Sequence, residues 1–537
     1  MSEKQLPGKP KKNYSHIKTH PTTANLAYKS QSTIRIRAKP APSRPIQTCS
    51  PENLENGYFL MSHCNTQSTD VTLKEDSFQR KRWQALTVIC LATLMIVLDT
   101  TIVNVALPSI KLDLGFDEVS LAWVINVYLL TFGGFLLLGG RLGDLYGQRA
   151  VFIWGTSLFT LASLACGIAQ TQGTLIAARA FQGFGGALLT ATALSLIIRL
   201  FSDPKERAKA IGAYSFVCTG GGSIGVLLGG ILTDLYEWYA IFLINLPIGI
   251  LVLVLTLRLL PAAQVSRTGT LDMAGAISVM SALMLAVYAV MNGNHIGWSS
   301  ATTTGLLALA VGLFILFIGI EVRTKEPLIP LRLLRLRNLA TANLIAVLWA
   351  TSMFAWFFLC ALYLQQVLAY SPLEVGLAFL PANLVMAICS LILSSRLIIR
   401  HGVKLPLVLG LAIAATGLFL LGRIPVNGSF LLDILPGMLL IGLGAGMGFN
   451  PILVAAMDDV QPGEEGIASG IVNTSFMMGG ALGLAIISSL AAHYSERLVA
   501  AGSPALAALG DGYGVAFLLA GTLSLVAALA GAVCMRK

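Results

Sequence analysis

Residues 94–108 read LMIVLDTTIVNVALP. They close an apolar run that begins near Ala85, and one of them does not belong in lipid: Asp99. At about 1.5 Å of rise per residue, Asp99 lies roughly 13 Å from Pro108. That is near the middle of a hydrocarbon layer about 30 Å thick. A carboxylate at such a depth costs about 2.5–3.5 kcal/mol on insertion scales. It persists where it faces a cavity, pairs with a cation or carries a proton. Asp99 is therefore the first candidate functional residue. The alternative is a structural acid bonded to Thr100 and Asn104 along its own helix.

The chain around it has 537 residues, of which 55% are hydrophobic and only 12% charged. Soluble domains carry about 25% charged residues, so the composition is that of a multi-span membrane protein. Fourteen apolar segments reach spanning length, at 85–108, 119–141, 150–170, 174–199, 208–231, 238–260, 271–292, 301–322, 339–363, 374–397, 404–424, 430–457, 466–492 and 513–535. An all-α fold follows, with both termini on one side. Sixteen Lys and Arg residues, from Arg141 to Lys404, lie around the loops after segments 2, 4, 6, 8 and 10, whereas the opposite loops hold Lys111, Arg423 and Arg497. That bias predicts cytoplasmic termini. It also absorbs the net charge of +10, so nucleic acid is not an expected partner.

Residues 1–83 are polar, hold 14 of the 36 basic residues and show no signal peptide. They read as a disordered cytoplasmic tail. Met61 offers an alternative start, which would remove residues 1–60. GRLGDLYGQR at 140–149 and SRLIIRHGVK at 395–404 align at a spacing of 255 residues, each after the second segment of a six-segment set. The expected domains are thus a six-helix bundle over 84–261, a two-helix insertion over 262–330 and a second six-helix bundle over 331–537. A parallel repeat with a site between its halves is a transporter architecture.

The loop motif Gly140-Arg141-Leu142-Gly143-Asp144-Leu145-Tyr146-Gly147-Gln148-Arg149 combines a small-residue stripe with an acid flanked by two cations. Asp144 can make charge-assisted bonds with Arg141 and Arg149 that exist in one conformation and break in another. The motif resembles the GxLaDrxGrk signature of the major facilitator superfamily. Segment 4, with Arg179, Gln182, Gly183, Gly185 and Gly186, resembles that superfamily's RxxxG helix. Arg179 either snorkels outward or faces the interior near Asp99 and favours its ionised form. Gly221, Gly225 and Gly229 in segment 5 form a stripe suited to close helix crossing, as packing surface or as gate. They resemble the antiporter signature GxxxGPxxGG, with Val226 in place of its proline. LDTTIVNVALP, WYAIFLINLPIG at 238–249, LYLQQVLAYSPLEVGLAFLP at 362–381 and GIASGIVNTSFMMGGALGLA at 466–485 resemble blocks of the fourteen-span EmrB/QacA-type drug:proton antiporters. The resemblance covers residues 85 to 535.

It implies proton-driven export of lipophilic, often cationic compounds across the bacterial cytoplasmic membrane by alternating access. Asp99 would be the coupling carboxyl, since burial disfavours a charged carboxyl and water or a guanidinium favours it. Trp349, Met353 and Trp356 share one helical face with Tyr363 close by, and such surfaces suit flat cations or pack against lipid and other helices. Asn126, Tyr128 and Asn343 are polar candidates for a cavity wall, while Asn245 and Pro247 read as a helix entry. Helices 7 and 8 read as a structural insertion. Asp458, Asp459, Glu464 and Glu465 form an acidic loop, either proton-collecting or a solvated turn. No HExxH or CxxC pattern is present, so neither an enzyme nor a metal or cofactor site is expected. Expected partners are a small-molecule substrate, protons and lipid, with an adaptor and outer-membrane channel only in a Gram-negative setting. A monomer is expected. The alternatives within transport are an exporter of one endogenous metabolite and a proton symporter importing a small solute.

Overall fold

The structure is a computed structural model that describes residues 60–537, except 202, 261–271, 325–326, 330, 426–427, 462–464 and 536–537. Of the expected disordered tail over 1–83, residues 1–59 lie outside the described residues and residues 60–83 are helical; the expected boundaries at 261–262 and 330–331 also fall at or beside residues that are not described. The chain divides at Asp70 and Val71 into two units; of the first, residues 60–70 are described, and they are helical. No strand occurs among the described residues.

Fourteen long helices follow the order of the apolar segments: α1 (Leu60–Leu114), α2 (Trp123–Tyr146), α3 (Gln148–Gly167), α4 (Gln172–Leu200), α5 (Pro204–Tyr236), α6 (Asn245–Leu259), α7 (Met273–Ile296), α8 (Ala301–Arg323), α9 (Arg337–Leu362), α10 (Pro372–Ile388), α11 (Lys404–Leu421), α12 (Leu435–Met457), α13 (Glu465–Ala500) and α14 (Ala505–Cys534). Thirteen spans among the described residues are long and apolar enough to cross a membrane; in α5 the apolar portion counted is the shorter Ile224–Tyr236. α1 starts well before the expected position 85, and it runs without a break through Pro108.

Local chemistry sets the other limits. Thr171 and Thr174 form a reciprocal capping box at the start of α4. Ser371 and Glu374 do the same for α10, where Pro372 takes the first-turn position that needs no N–H. The segment expected as one helix over 238–260 is split: a short turn at Ala240–Leu243 precedes α6, with Pro247 in the first turn of the new helix. α10 continues through a π-turn at Cys389–Ser394 into Ser395–His401.

The helices form two six-helix bundles, α1–α6 and α9–α14, with α7 and α8 between them in sequence. α2 packs on α4, and α3 on α4 and α6; in the second bundle α9 packs on α13 and α14, and α11 on α12 and α14. The bundles meet along two seams, α5 against α10 and α2 against α13. The inserted α7 is more than an appendage, because it packs on α8, α13 and α2 together. Ser489 of α13 donates to the Val290 carbonyl of α7 (3.2 Å).

The internal repeat is visible in detail. Gly147 (φ +90°) and Gly402 (φ +76°) make the corresponding turns, a backbone region that favours glycine. Arg149 Nη2 donates to the Leu257 carbonyl near the end of α6 (2.8 Å), and Lys404 Nζ to the Met535 carbonyl after α14 (3.1 Å). Each cation thus caps the closing helix of its own bundle, where carbonyls lack partners. The loops after even-numbered helices define the basic end of the molecule; the other is called the far end.

Candidate functional site

The site begins at Asp99, fully buried near the middle of the apolar part of α1. Its Oδ2 accepts from Arg179 Nη1 of α4 at 2.6 Å. Its Oδ1 accepts from Gln182 Nε2 of α4 at 2.7 Å and from Asn245 Nδ2 of α6 at 3.0 Å. Gln182 lies three residues after Arg179, so one face of α4 presents both groups. The same two amides also reach Ser163 Oγ of α3, at 2.8 Å from Gln182 and 3.4 Å from Asn245. α4 and α6 therefore meet at the carboxylate of α1, with Ser163 of α3 bonded to both amide donors.

Arg179 is only 1% exposed. It does not snorkel. Its Nε donates to the Val124 carbonyl (2.9 Å) and its Nη1 also reaches Gln182 Oε1 (2.7 Å). The guanidinium stacks on Tyr128 at 4.2 Å from the ring centre, with Phe242 on another side at 5.7 Å. A buried cation held by an anion, two carbonyl oxygens and two aromatic faces is well compensated. Such a pair is stable as a unit and costly to break.

The alternative bonds from Asp99 to Thr100 and Asn104 are not formed. Thr100 Oγ1 donates to the Val97 carbonyl, and Asn104 Nδ2 donates to the carbonyls of Thr100 and Thr101. Asp99 is reached from other helices.

The glycines of α5 lie against the other face of α1. A Cβ at Gly221 would stand 3.0 Å from Leu94 and Val97, one at Gly225 would overlap Thr101 Oγ1, and one at Gly229 would stand 2.8 Å from the Ile102 carbonyl oxygen. Val226, in place of the signature proline, is buried, and its carbonyl oxygen lies 3.0 Å from where a Cβ on Gly376 of α10 would be. α5 is unbroken at that position.

In the loop motif the expected charge cluster is arranged differently. Arg149 turns to Leu257, and exposed Asp144 accepts from Gln148 Nε2 at 3.5 Å. Arg149 is committed to the end of α6, where the last carbonyls lack helical partners. Arg141 is half-buried at the end of α2, and a Cβ on neighbouring Gly140 would meet nothing within 4 Å. Gly139 and Gly143 face α4 at Ala187, Ala191 and Thr192.

Of the proposed substrate contacts, Tyr128 joins the Asp99 cluster through its ring. Asn126 is buried and donates to Met291 Sδ of α7 (3.6 Å), away from that cluster. Asn343 bonds back to the Leu339 carbonyl on its own helix (2.8 Å). Trp349 is fully buried in the apolar core of the second bundle, a cluster that includes Leu411, Ala414 and Ala527, whereas Trp356 packs on Phe357 and Phe379 at 4.4 and 5.6 Å between ring centres. Neither meets lipid. Tyr363 donates to the Pro425 carbonyl (3.1 Å). Asp459 of the acidic loop accepts from the Asn338 amide and so anchors the start of α9 (3.1 Å). Ser163, Asn245 and Gln182, the last named in the sequence only as part of a motif, are residues that sequence reasoning did not bring to Asp99. Asn245 carried a usable signal, an amide inside an apolar run; Ser163 carried none.

A two-fold repeated helical bundle with a charge pair sealed in its interior defines a membrane transporter. Among the described residues, no cluster of His, Cys, Asp or Glu could hold a metal ion. Residues 89–484 match the model of the Major Facilitator Superfamily, and the chain belongs to that family. It is a multi-pass transporter of small molecules and not an enzyme. It is 39% identical over 458 residues to the puromycin resistance protein pur8 of Streptomyces alboniger, covering 84% of this chain and 91% of that one. It is 37% identical over 431 residues to the cephamycin export protein CmcT of Amycolatopsis lactamdurans (77% and 88% covered). It is also 37% identical over 422 residues to the multidrug resistance protein Stp of Mycobacterium tuberculosis (78% of each). Among solved structures, an auto-inhibited POT family peptide transporter shares the fold at a TM-score of 0.62 and 17% identity, covering 85% of this chain and 98% of that one.

Proposed function

We propose that this protein is a proton-driven exporter of lipophilic, often cationic small molecules, antibiotics among them, working by alternating access in the bacterial cytoplasmic membrane. The observation that carries the reading is the buried Asp99–Arg179 pair, joined at 2.6 Å across two helices of one bundle. An acid in that position exchanges a proton between two aqueous sides as the bundles rock, and protonation removes much of the cost of carrying its charge through an occluded state. The export direction and the antibiotic class are supported by relatives described as resistance and export proteins. The candidate contacts for flat cations are Tyr128 and Trp356, together with Trp349, Tyr363, Asn126 and Asn343. The loop motif from Gly140 to Arg149 and the α5 glycines Gly221, Gly225 and Gly229 serve the conformational change. The bias of basic residues supports cytoplasmic termini. The transporter works as a monomer, joined by an adaptor and outer-membrane channel only in a Gram-negative cell.

The test uses acid-loaded inverted membrane vesicles and two probes, puromycin and a quaternary ammonium dye. Substrate-induced proton release, absent in Asp99→Asn, is the expected result. Proton movement in the same direction as substrate, or substrate movement without protons, overturns the reading. Extending the probes to a wider panel separates a broad exporter from one dedicated to a single metabolite.

A further inference from the structure

Every hydrogen bond to Asp99 comes from a donor. Oδ2 accepts from Arg179, and Oδ1 accepts from the amides of Gln182 and Asn245. This is the shell of an ionised carboxylate. A protonated carboxyl is also a donor, and its O–H needs an acceptor in a pocket closed to water.

Few groups can supply one. Gln182 Oε1 already accepts from Arg179 Nη1 and from Cys166 Sγ. Ser163 Oγ receives both amides and donates to the Phe159 carbonyl at 2.8 Å. Among charged and titratable groups facing Asp99, Arg179 from α4 offers donors alone. Cys166 from α3 gives its S–H to Gln182. Tyr128 from α2 holds its hydroxyl beside Gly186, one turn beyond Gln182. α5 meets α1 through glycines, and α6 brings Asn245 together with apolar neighbours. Asn245 Oδ1 is buried with no hydrogen-bond partner, on a residue with no exposed surface. Tyr128 Oη is likewise buried without a partner, but of the two unpartnered oxygens only that of Asn245 sits on a residue already bonded to Asp99.

We propose that Asn245 is a positioning residue whose side-chain amide turns over as Asp99 changes protonation state. Nδ2 faces the carboxylate when it is ionised, and Oδ1 faces its O–H when it is protonated. The proton passes from water on one side to Asp99 Oδ1 and back to water on the other; Asn245 neither gains nor loses one. The turnover relieves the orphaned carbonyl only in the protonated state. It also releases the Asn245 link to Ser163, so the first residue of α6 changes its connection to α1 and α3 with each proton. This inference rests on the reading of Asp99 as the proton carrier.

The test compares Asn245→Val with the nearly isosteric Asn245→Thr, whose hydroxyl can both donate and accept. In reconstituted vesicles with puromycin as probe, Asn245→Val is expected to displace the pH profile of proton release and to lower its maximum about tenfold, the equivalent of one hydrogen bond to a charged group. Asn245→Thr is expected to restore most of the lost profile. Superimposable profiles for Asn245→Val and wild type, or equal displacement in both variants, would overturn the proposal. Wild-type vesicles that show no proton release sink the functional reading and this inference with it, and that failure is recognised without any variant. If Asn245→Val does not fold, infrared difference spectra of the wild type on acidification decide the matter. An isotope-labelled asparagine side-chain band is expected to change together with the Asp99 carboxyl band, which Asp99→Asn lacks. A carboxyl change with no asparagine partner counts against the turnover.

Discussion

Asp99 and Arg179 stand 80 positions apart in sequence and 2.6 Å apart in space, with 0% and 1% of their side chains exposed. Neither charge is solvated by water in this arrangement. Each is therefore the other's main source of stability, and the pair responds to substitution as a unit.

Removing only one partner leaves a buried charge, a loss of about 3–5 kcal/mol. Arg179→Met is expected to lower the melting temperature of the purified protein markedly. The double variant Asp99→Asn/Arg179→Met is expected to melt above Arg179→Met alone, because no uncompensated charge remains. A thermal-shift double-mutant cycle measures this, and purely additive effects would show that the pair is not energetically coupled.

α5 and α1 touch where Gly225 admits Thr101. Gly225→Val drives a side chain into Thr101 Oγ1 and into the Leu98 backbone, whose carbonyl oxygen lies 3.1 Å from the glycine's Cβ position. Overpacking of this kind costs about 1–3 kcal/mol. Transport is expected to fall, and Thr101→Ala in the same chain is expected to recover part of it, as read by dye efflux. Recovery fails if the lost activity has nothing to do with this contact.

At the far end, Gln365 Nε2 donates to the Val105 carbonyl at 2.7 Å and ties the turn after α9 to α1. Gln365→Ala removes about 0.5–1.5 kcal/mol from a contact that bridges the two bundles. A cysteine at buried position 105 is then expected to react about 2- to 10-fold faster with an impermeant maleimide added at that end. An unchanged labelling rate would mean that this bond does not hold the bundles together.

Trp349 and Trp356 occupy one helical face but have different surroundings. Trp349→Ala opens a cavity in the apolar core of the second bundle and is expected to cost about 3–5 kcal/mol in stability. It should lower transport of every substrate alike. Trp356→Phe keeps most of the packing on Phe379, so its effect should vary from one substrate to another in measured KM values. Equal KM shifts across a panel would remove Trp356 from the recognition surface.

Much of this organisation is legible from residue chemistry alone. Asp99 stands out because a charge in an apolar run is costly, and the fourteen helices stand out because spanning length is a physical requirement. Other features are hidden for equally physical reasons. Ser163 looks like any serine in a membrane helix, since its hydroxyl bonds back to Phe159 one turn earlier, and its second role as acceptor depends on where α4 and α6 cross. Arg149 reads as the partner of Asp144 because they are close in sequence, but the end of α6 offers it an unsatisfied carbonyl from 108 residues away. The indole faces of α9 could not be assigned between lipid and protein, because helical periodicity gives a direction and says nothing about the neighbour.

α7 touches both sides of the α2–α13 seam. A Cβ on Gly134 of α2 would collide with Met280 of α7, and Ser489 of α13 bonds to Val290 of the same helix. Among the described residues, neither inserted helix stands in the same way across α5 and α10. The two boundaries between the bundles are thus mechanically unequal. One is a three-body joint that must drag or shed α7 when it shears, and the other is a simple two-helix slide lined with Gly230 and Gly376. Motion concentrated on the slide, with the joint as its fulcrum, would tilt the bundles unevenly and open a wedge on the α5–α10 side, giving a bulky solute a lateral path from the membrane plane.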